Sequence, residues 1–163
     1  MTDERKIQQA QATYNTLCEM LDSIGWRYEK DEANFVIRSG VKGDDLPIKF
    51  TVRVNPANLV ASFISWMPYE VPKDKLIDVA LAIHAVNYKM ADGSFDFDLS
   101  DGSIMFRLTS SFRESILGKE LFEYMIMLST SVVDEYNDKF FAISKGLLNP
   151  LFCTVLFIHF MFA

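Results

Sequence analysis

The alternation of apolar and polar positions divides the chain into helices and strands before any other property is considered. Residues 3 to 24 predict a helix, because Ile7, Ala10, Tyr14, Leu17, Leu21 and Ile24 recur at steps of three and four and share one stripe. Thr2 or Asp3 supplies a cap for the free amides of the first turn, and Gly25 a stop. So continuous a seam needs something to cover it, a second helix or a partner. The period then changes to two. Phe35 and Ile37 alternate with Val36 and Arg38, and after a Gly/Asp turn at 40–45, Ile48, Phe50, Val52 and Val54 alternate with Lys49, Thr51 and Arg53. Asn55-Pro56-Ala57-Asn58 reads as a turn and residues 59–66 as the next strand, which gives a three-stranded antiparallel meander.

Pro68 and Pro72 bracket a loop, and Pro72 suits the first turn of a helix that runs to about Met90. Leu76, Ala80, Ile83 and Asn87 form one line on this helix and Ile77, Leu81, His84 and Tyr88 the next, which predicts burial over a broad face. Asp92-Gly93 turns the chain into a hairpin. Phe95, Phe97 and Leu99 alternate with Asp96 and Asp98, the turn holds Asp101-Gly102, and residues 104–109 return. A last helix over 119–144 carries Leu121, Met125, Leu128, Val132, Tyr136 and Phe140 as its main stripe. The order α-β-β-β-α-β-β-α predicts an α+β fold of two layers, a five-stranded antiparallel sheet packed by helices. Residues 1–146 form a single domain, and 147–163 stand apart from it.

Composition narrows the chemistry. Half the residues are hydrophobic and 13% aromatic, which excludes a disordered chain. A net charge of −6 argues against a general binder of nucleic acid, which needs a basic stripe to displace counterions from phosphates. Two cysteines, Cys18 and Cys153, build no disulfide framework, and the charged start of the chain has no apolar run of the secretory type, so a cytoplasmic protein is expected. His84 and His159 lie too far apart in sequence, as do the cysteines, to suggest zinc. Asp96, Asp98 and Asp101-Gly102 imitate a calcium loop, but Gly102 falls at position seven instead of six and Arg107 stands where a clamping Glu belongs. The sequence has no G-x-S-x-G element, and the one glycine cluster, Gly40-Val41-Lys42-Gly43, lies between strands and not at a helix start. No catalytic residue, cofactor or metal is therefore expected. Trp66, Met67 and Tyr69 beside two prolines, with Met125 and Met127 on the last helix, are the candidate partner-binding residues, being amphipathic or adaptable types favoured in contact patches.

The segments Trp66-Met67-Pro68, Val71-Pro72-Lys73-Asp74-Lys75, Ala85-Val86-Asn87-Tyr88, Gly93-Ser94-Phe95-Asp96 and Asp101-Gly102 resemble the YbjN family, bacterial proteins labelled as sensory-transduction regulators. The resemblance covers about residues 5 to 145. It implies a fold like that of type III secretion chaperones with the element order above, in small, cytoplasmic, non-enzymatic proteins, and it offers no catalytic residues to carry over. The end departs from the family. No Asp, Glu, Lys or Arg occurs from Gly146 to Ala163, and Leu151–Ala163 is nearly all apolar. As a helix these thirteen residues would span only about 20 Å, short of the roughly 30 Å hydrocarbon core of a bilayer. Three readings stand: a segment packed on this domain or a partner, a membrane-associating tail, or translation of out-of-frame sequence. The functional expectation is a non-catalytic interaction module, a homodimer that binds a polypeptide as a regulator or chaperone. The alternatives are a small-ligand protein or enzyme with its site near His84 and Asn87, or a protein that touches membrane through its tail.

Overall fold

A computed structural model of the chain describes residues 3–151. Its elements are α1 (Asp3–Ser23), β1 (Glu29–Asp31), β2 (Val36–Lys42), β3 (Pro47–Asn55), β4 (Val60–Glu70), α2 (Leu76–Asn87), β5 (Ser94–Phe97), β6 (Ser103–Ser111) and α3 (Lys119–Ser144), with short 3-10 turns at Glu32–Asn34 and Lys73–Lys75. The six strands form one antiparallel sheet in the order β1-β2-β3-β4-β6-β5. The α+β class and the antiparallel sheet agree with expectation; the count of five strands and the order α-β-β-β-α-β-β-α do not. The additional strand is Glu29-Lys30-Asp31, three charged residues that pair with Val36–Arg38 at the sheet edge. An edge strand with both faces wet needs no apolar alternation, so the pattern carried no sign of it.

The three helices lie side by side on one face of the sheet. α3 runs along the middle over β3, β4 and β6, α1 flanks it over β3, and α2 flanks it on the β5 side. The core fills the space between. Phe50, Phe63, Phe106 and Phe95 form a line of aromatic contacts across β3, β4, β6 and β5, with ring centroids 4.8, 6.4 and 5.0 Å apart in turn. Tyr136 and Phe140 of α3 close over Phe95 at 5.9 and 5.0 Å. Each buried phenylalanine contributes about 1.5–3 kcal/mol by leaving water. Among the described residues no helix lies on the opposite face of the sheet.

Two further expectations are corrected here. The strand expected over 59–66 continues to Glu70, so Pro68 sits inside β4 and not in a loop. It is accommodated because the register with β6 shifts between Trp66 and Glu70, where no ladder bond requires its missing N–H. On α2, Val79, Ala82, Ile83 and Val86 are buried, whereas Ile77, Leu81, His84 and Tyr88 face outward. The broad buried face is thus a narrow one, and an apolar line is left exposed. Among the described residues no helix is long and apolar enough to cross a membrane. Thr2 and residues 152–163, which include the proposed cap and most of the apolar tail, lie outside the described residues.

Candidate partner-binding site

The bare face of the sheet is built by strand alternation. In β4, Ala61, Phe63, Ser65 and Met67 point to the helices, which sends Ser62, Ile64 and Trp66 outward. In β6, Ile104, Phe106 and Leu108 are buried, which sends Met105, Arg107 and Thr109 outward. Trp66 sits opposite Met105, and Met105 opposite Asp96 of β5. With Phe97, Asp98, Leu99 and Ser103 these residues line a cleft of about 460 Å³ that opens on this face. Trp66 is 58% exposed within it. A large aromatic left this accessible beside Met105 and Leu99 presents apolar surface with nothing from the described chain to cover it.

The polar groups around the cleft have mixed duties. Arg107 Nη2 pairs with Asp96 Oδ2 at 2.7 Å across β5 and β6. Asp98 and Asp101 hold the hairpin turn: Asp98 Oδ1 accepts from the Ser100 N–H and hydroxyl at 2.8 and 2.6 Å, and Asp101 Oδ1 accepts from the Ser103 N–H at 2.8 Å. The Ser100 hydrogen bonds hold the Asp98 carboxyl below the usual carboxylate range. These aspartates are turn residues. Among the described residues, no group of three or more His, Cys, Asp or Glu is placed to hold a metal ion. Further across the bare face lie Arg38, which pairs with Asp31 at 3.5 Å, and the exposed Lys49 and Arg53.

The five partner-binding candidates do not form one patch. Trp66 is on the bare face. Met67, its neighbour on β4, points the other way and is buried in the core, as is Met125, only 1% exposed on the inner side of α3. Both are corrected to core residues, because their neighbours on strand and helix carry them inward. Tyr69 also turns toward the helices: its hydroxyl donates to the Asn137 carbonyl at 2.7 Å and its ring meets Phe141 edge-on at 5.1 Å. Burial, with Asp138 nearby, pushes its phenol well above the usual range. Met127 is 54% exposed, but on the outer surface of the helix layer, away from Trp66. The residues that join Trp66 in the cleft are instead Phe97, Leu99 and Met105, and Met105 was legible as the outward residue between Ile104 and Phe106.

In the second candidate region, around His84 and Asn87, the asparagine is tied into the fold. Asn87 Nδ2 donates to the Phe95 carbonyl and its Oδ1 accepts from the Phe95 N–H, both at 2.9 Å, so the amide clamps β5 to the end of α2. Gly93 follows with φ +77°, and a Cβ there would lie 2.5 Å from Phe106 Cζ. Gly102, at φ +80°, passes against the backbone of Val71. The Asn-Tyr, Gly-Ser-Phe and Asp-Gly segments that carry the family resemblance are therefore joints of the fold, and His84 sits outside them on the exposed line of α2.

An antiparallel sheet with three helices packed on one of its faces is an arrangement found in solved structures of other proteins. Three solved structures share it: the HopA1–SchA chaperone–effector complex (TM-score 0.57, 13% identity, 80% of this chain and 97% of that one), YbjN from E. coli (0.57, 13%, 81% and 92%) and the ExsC–ExsE complex (0.53, 16%, 77% and 90%). The chain belongs to the YbjN family, whose model, described as "Putative bacterial sensory transduction regulator", matches residues 13–142. No curated protein matches it by sequence.

Proposed function

We propose that this protein is a non-catalytic interaction domain that binds a segment of a polypeptide partner on the bare face of its sheet, in a regulatory or chaperone-like role. The observation that carries the reading is Trp66, an exposed indole set with Met105 and Leu99 in a cleft on the sheet face that no described helix covers. Exposed aromatic and methionine side chains around a concave site are typical anchors for a partner chain. Two of the solved structures with this fold are complexes of two proteins, the first described as a chaperone–effector complex. The chemistry of the face suggests the partner's chemistry. A segment with apolar side chains for the cleft and carboxylates for Lys49 and Arg53 would complement it, despite the chain's net charge of −6.

The test is affinity capture from the source cells with the full chain as bait, run in parallel with Trp66→Ala and Met127→Ala. One polypeptide recovered near equal stoichiometry by the wild type and by Met127→Ala, and lost with Trp66→Ala, supports the reading. Binding should then shift the tryptophan emission of the wild type, read on the isolated pair. A partner retained by Trp66→Ala, or bait recovered alone, overturns it.

A further inference from the structure

The bare face is charged unevenly. Its outward residues form rows that cross the strands, because directly paired residues share a face. In one row Thr51 of β3 pairs with Ile64 of β4, and Ile64 with Arg107 of β6. Two residues back along β3 and two forward along β4, Lys49 comes level with Trp66, and the Lys49 carbonyl accepts from the Ser65 hydroxyl at 2.9 Å. That second row goes on through Met105 to Asp96. The face thus has cations on β3, an apolar middle of Ile64, Trp66 and Met105, and carboxylates on the β5 side. Arg107 is paired with Asp96 and Arg38 with Asp31. Lys49 and Arg53 are exposed, and among the described residues neither is in an ion pair. In a chain of net charge −6, such cations beside an apolar cleft complement an acidic group from elsewhere.

The sheet edges offer less to a partner. At β5, the Phe95 N–H and C=O that an added strand would use are held by Asn87, both at 2.9 Å. At the other edge, β1 is Glu29-Lys30-Asp31, short and wholly charged, a kind of edge that discourages strand addition. We propose that the partner segment crosses the strands of the bare face, with an apolar side chain in the Trp66 cleft and a carboxylate about two to four residues away facing Lys49, and does not join the sheet as a further strand. The inference rests on the binding reading above and adds its register and mode. Lys49 and Met105 stand two strands apart, about 10 Å, which an extended segment covers in about three residues. Side chains on one face of such a segment are separated by two or four positions.

The test overlays the labelled full chain on an array of short glycine-serine peptides. Each carries one leucine or phenylalanine anchor and one glutamate or lysine, at every offset on either side. The signal should peak with glutamate about two to four residues from the anchor, about threefold above lysine at the same offset, and weaken at high salt. Lys49→Glu should reverse the preference to lysine at that offset, a gain that misfolding cannot produce. Arg53→Glu, about 13 Å along β3 from Lys49, should leave the peak where it is. N-methylation of the anchor and its neighbours, which removes the N–H groups an added strand needs, should change the signal by less than about twofold. Equal signals for glutamate and lysine, a preference that Lys49→Glu does not reverse, loss on N-methylation, an array without signal, or tighter binding of a single-stranded oligothymidine than of any peptide would each overturn the inference. The binding reading fails separately: signal that survives Trp66→Ala sinks it, whereas signal lost with Trp66→Ala but indifferent to glutamate or lysine keeps it and removes only the crossing register.

Discussion

Replacing Asn87 by alanine separates a joint of the fold from a ligand site. The amide makes two 2.9 Å bonds with the Phe95 backbone. Phe95 itself is buried against Phe106, Tyr136 and Phe140, so the strand that the amide holds carries the centre of the aromatic core. Each lost bond costs about 1 kcal/mol net, and more where water cannot replace the amide. The better helix propensity of alanine returns about 0.5 kcal/mol. The expected loss is therefore about 2 kcal/mol, or about 4–8 °C in Tm for a domain of this size. Urea unfolding followed by circular dichroism should show it as a lower midpoint at unchanged slope. Asn87→Asp should be at least as costly, since it keeps the acceptor but sets a carboxylate against the Phe95 carbonyl. Tyr88→Ala, one residue along and exposed, should stay within about 0.5 kcal/mol. A loss below about 0.5 kcal/mol for Asn87→Ala would refute the clamp. Unchanged stability combined with lost binding of a small molecule would restore the site near His84.

Two other substitutions test the assignment of faces and the protonation of the buried phenol. Met125→Ala should destabilise by about 2–5 kcal/mol through lost burial and a residual cavity, whereas Met127→Ala, two residues on, should stay within about 0.5 kcal/mol; equal effects in urea unfolding would mean that the inner face of α3 is wrongly placed. Tyr69 is held protonated by burial and by Asp138, so its folded pKa lies above that of the unfolded chain. The stability this contributes is fully present below about pH 10 and is lost as pH rises from there toward the folded value. Thermal melts between pH 9 and 11.5 should therefore fall less steeply for Tyr69→Phe than for the wild type, and parallel slopes would contradict the buried, hydrogen-bonded phenol.

Periodicity located the elements better than it located the surface. The last helix spans 119–144 and the first ends within one residue of the expected Ile24, because long apolar stripes leave little freedom in where a helix lies. What periodicity lacks is the side of the sheet on which each helix packs. Every helix here has an apolar line, and on α2 two adjacent lines, Leu76-Ala80-Ile83-Asn87 and Ile77-Leu81-His84-Tyr88, look equally suited to a core. Only the packing of Val79, Ala82 and Val86 against the rest decides that the second line faces out. The same gap explains the candidate site. Trp66-Met67-Pro68-Tyr69 drew attention as a cluster of contact-prone residues, but β4 runs through it, and adjacent residues of a strand point to opposite faces. Its members were thus bound to be divided between core and surface once the strand was extended past Pro68. Alternation already paired Trp66 in kind with Met105, both outward among buried neighbours. That these two meet required the register of β4 on β6, and that they remain uncovered required all three helices to share the other face. Neither fact is local in sequence, so the cleft is a property of topology, while the joints that hold it, Asn87, Gly93 and Gly102, are the part a single sequence displays most openly.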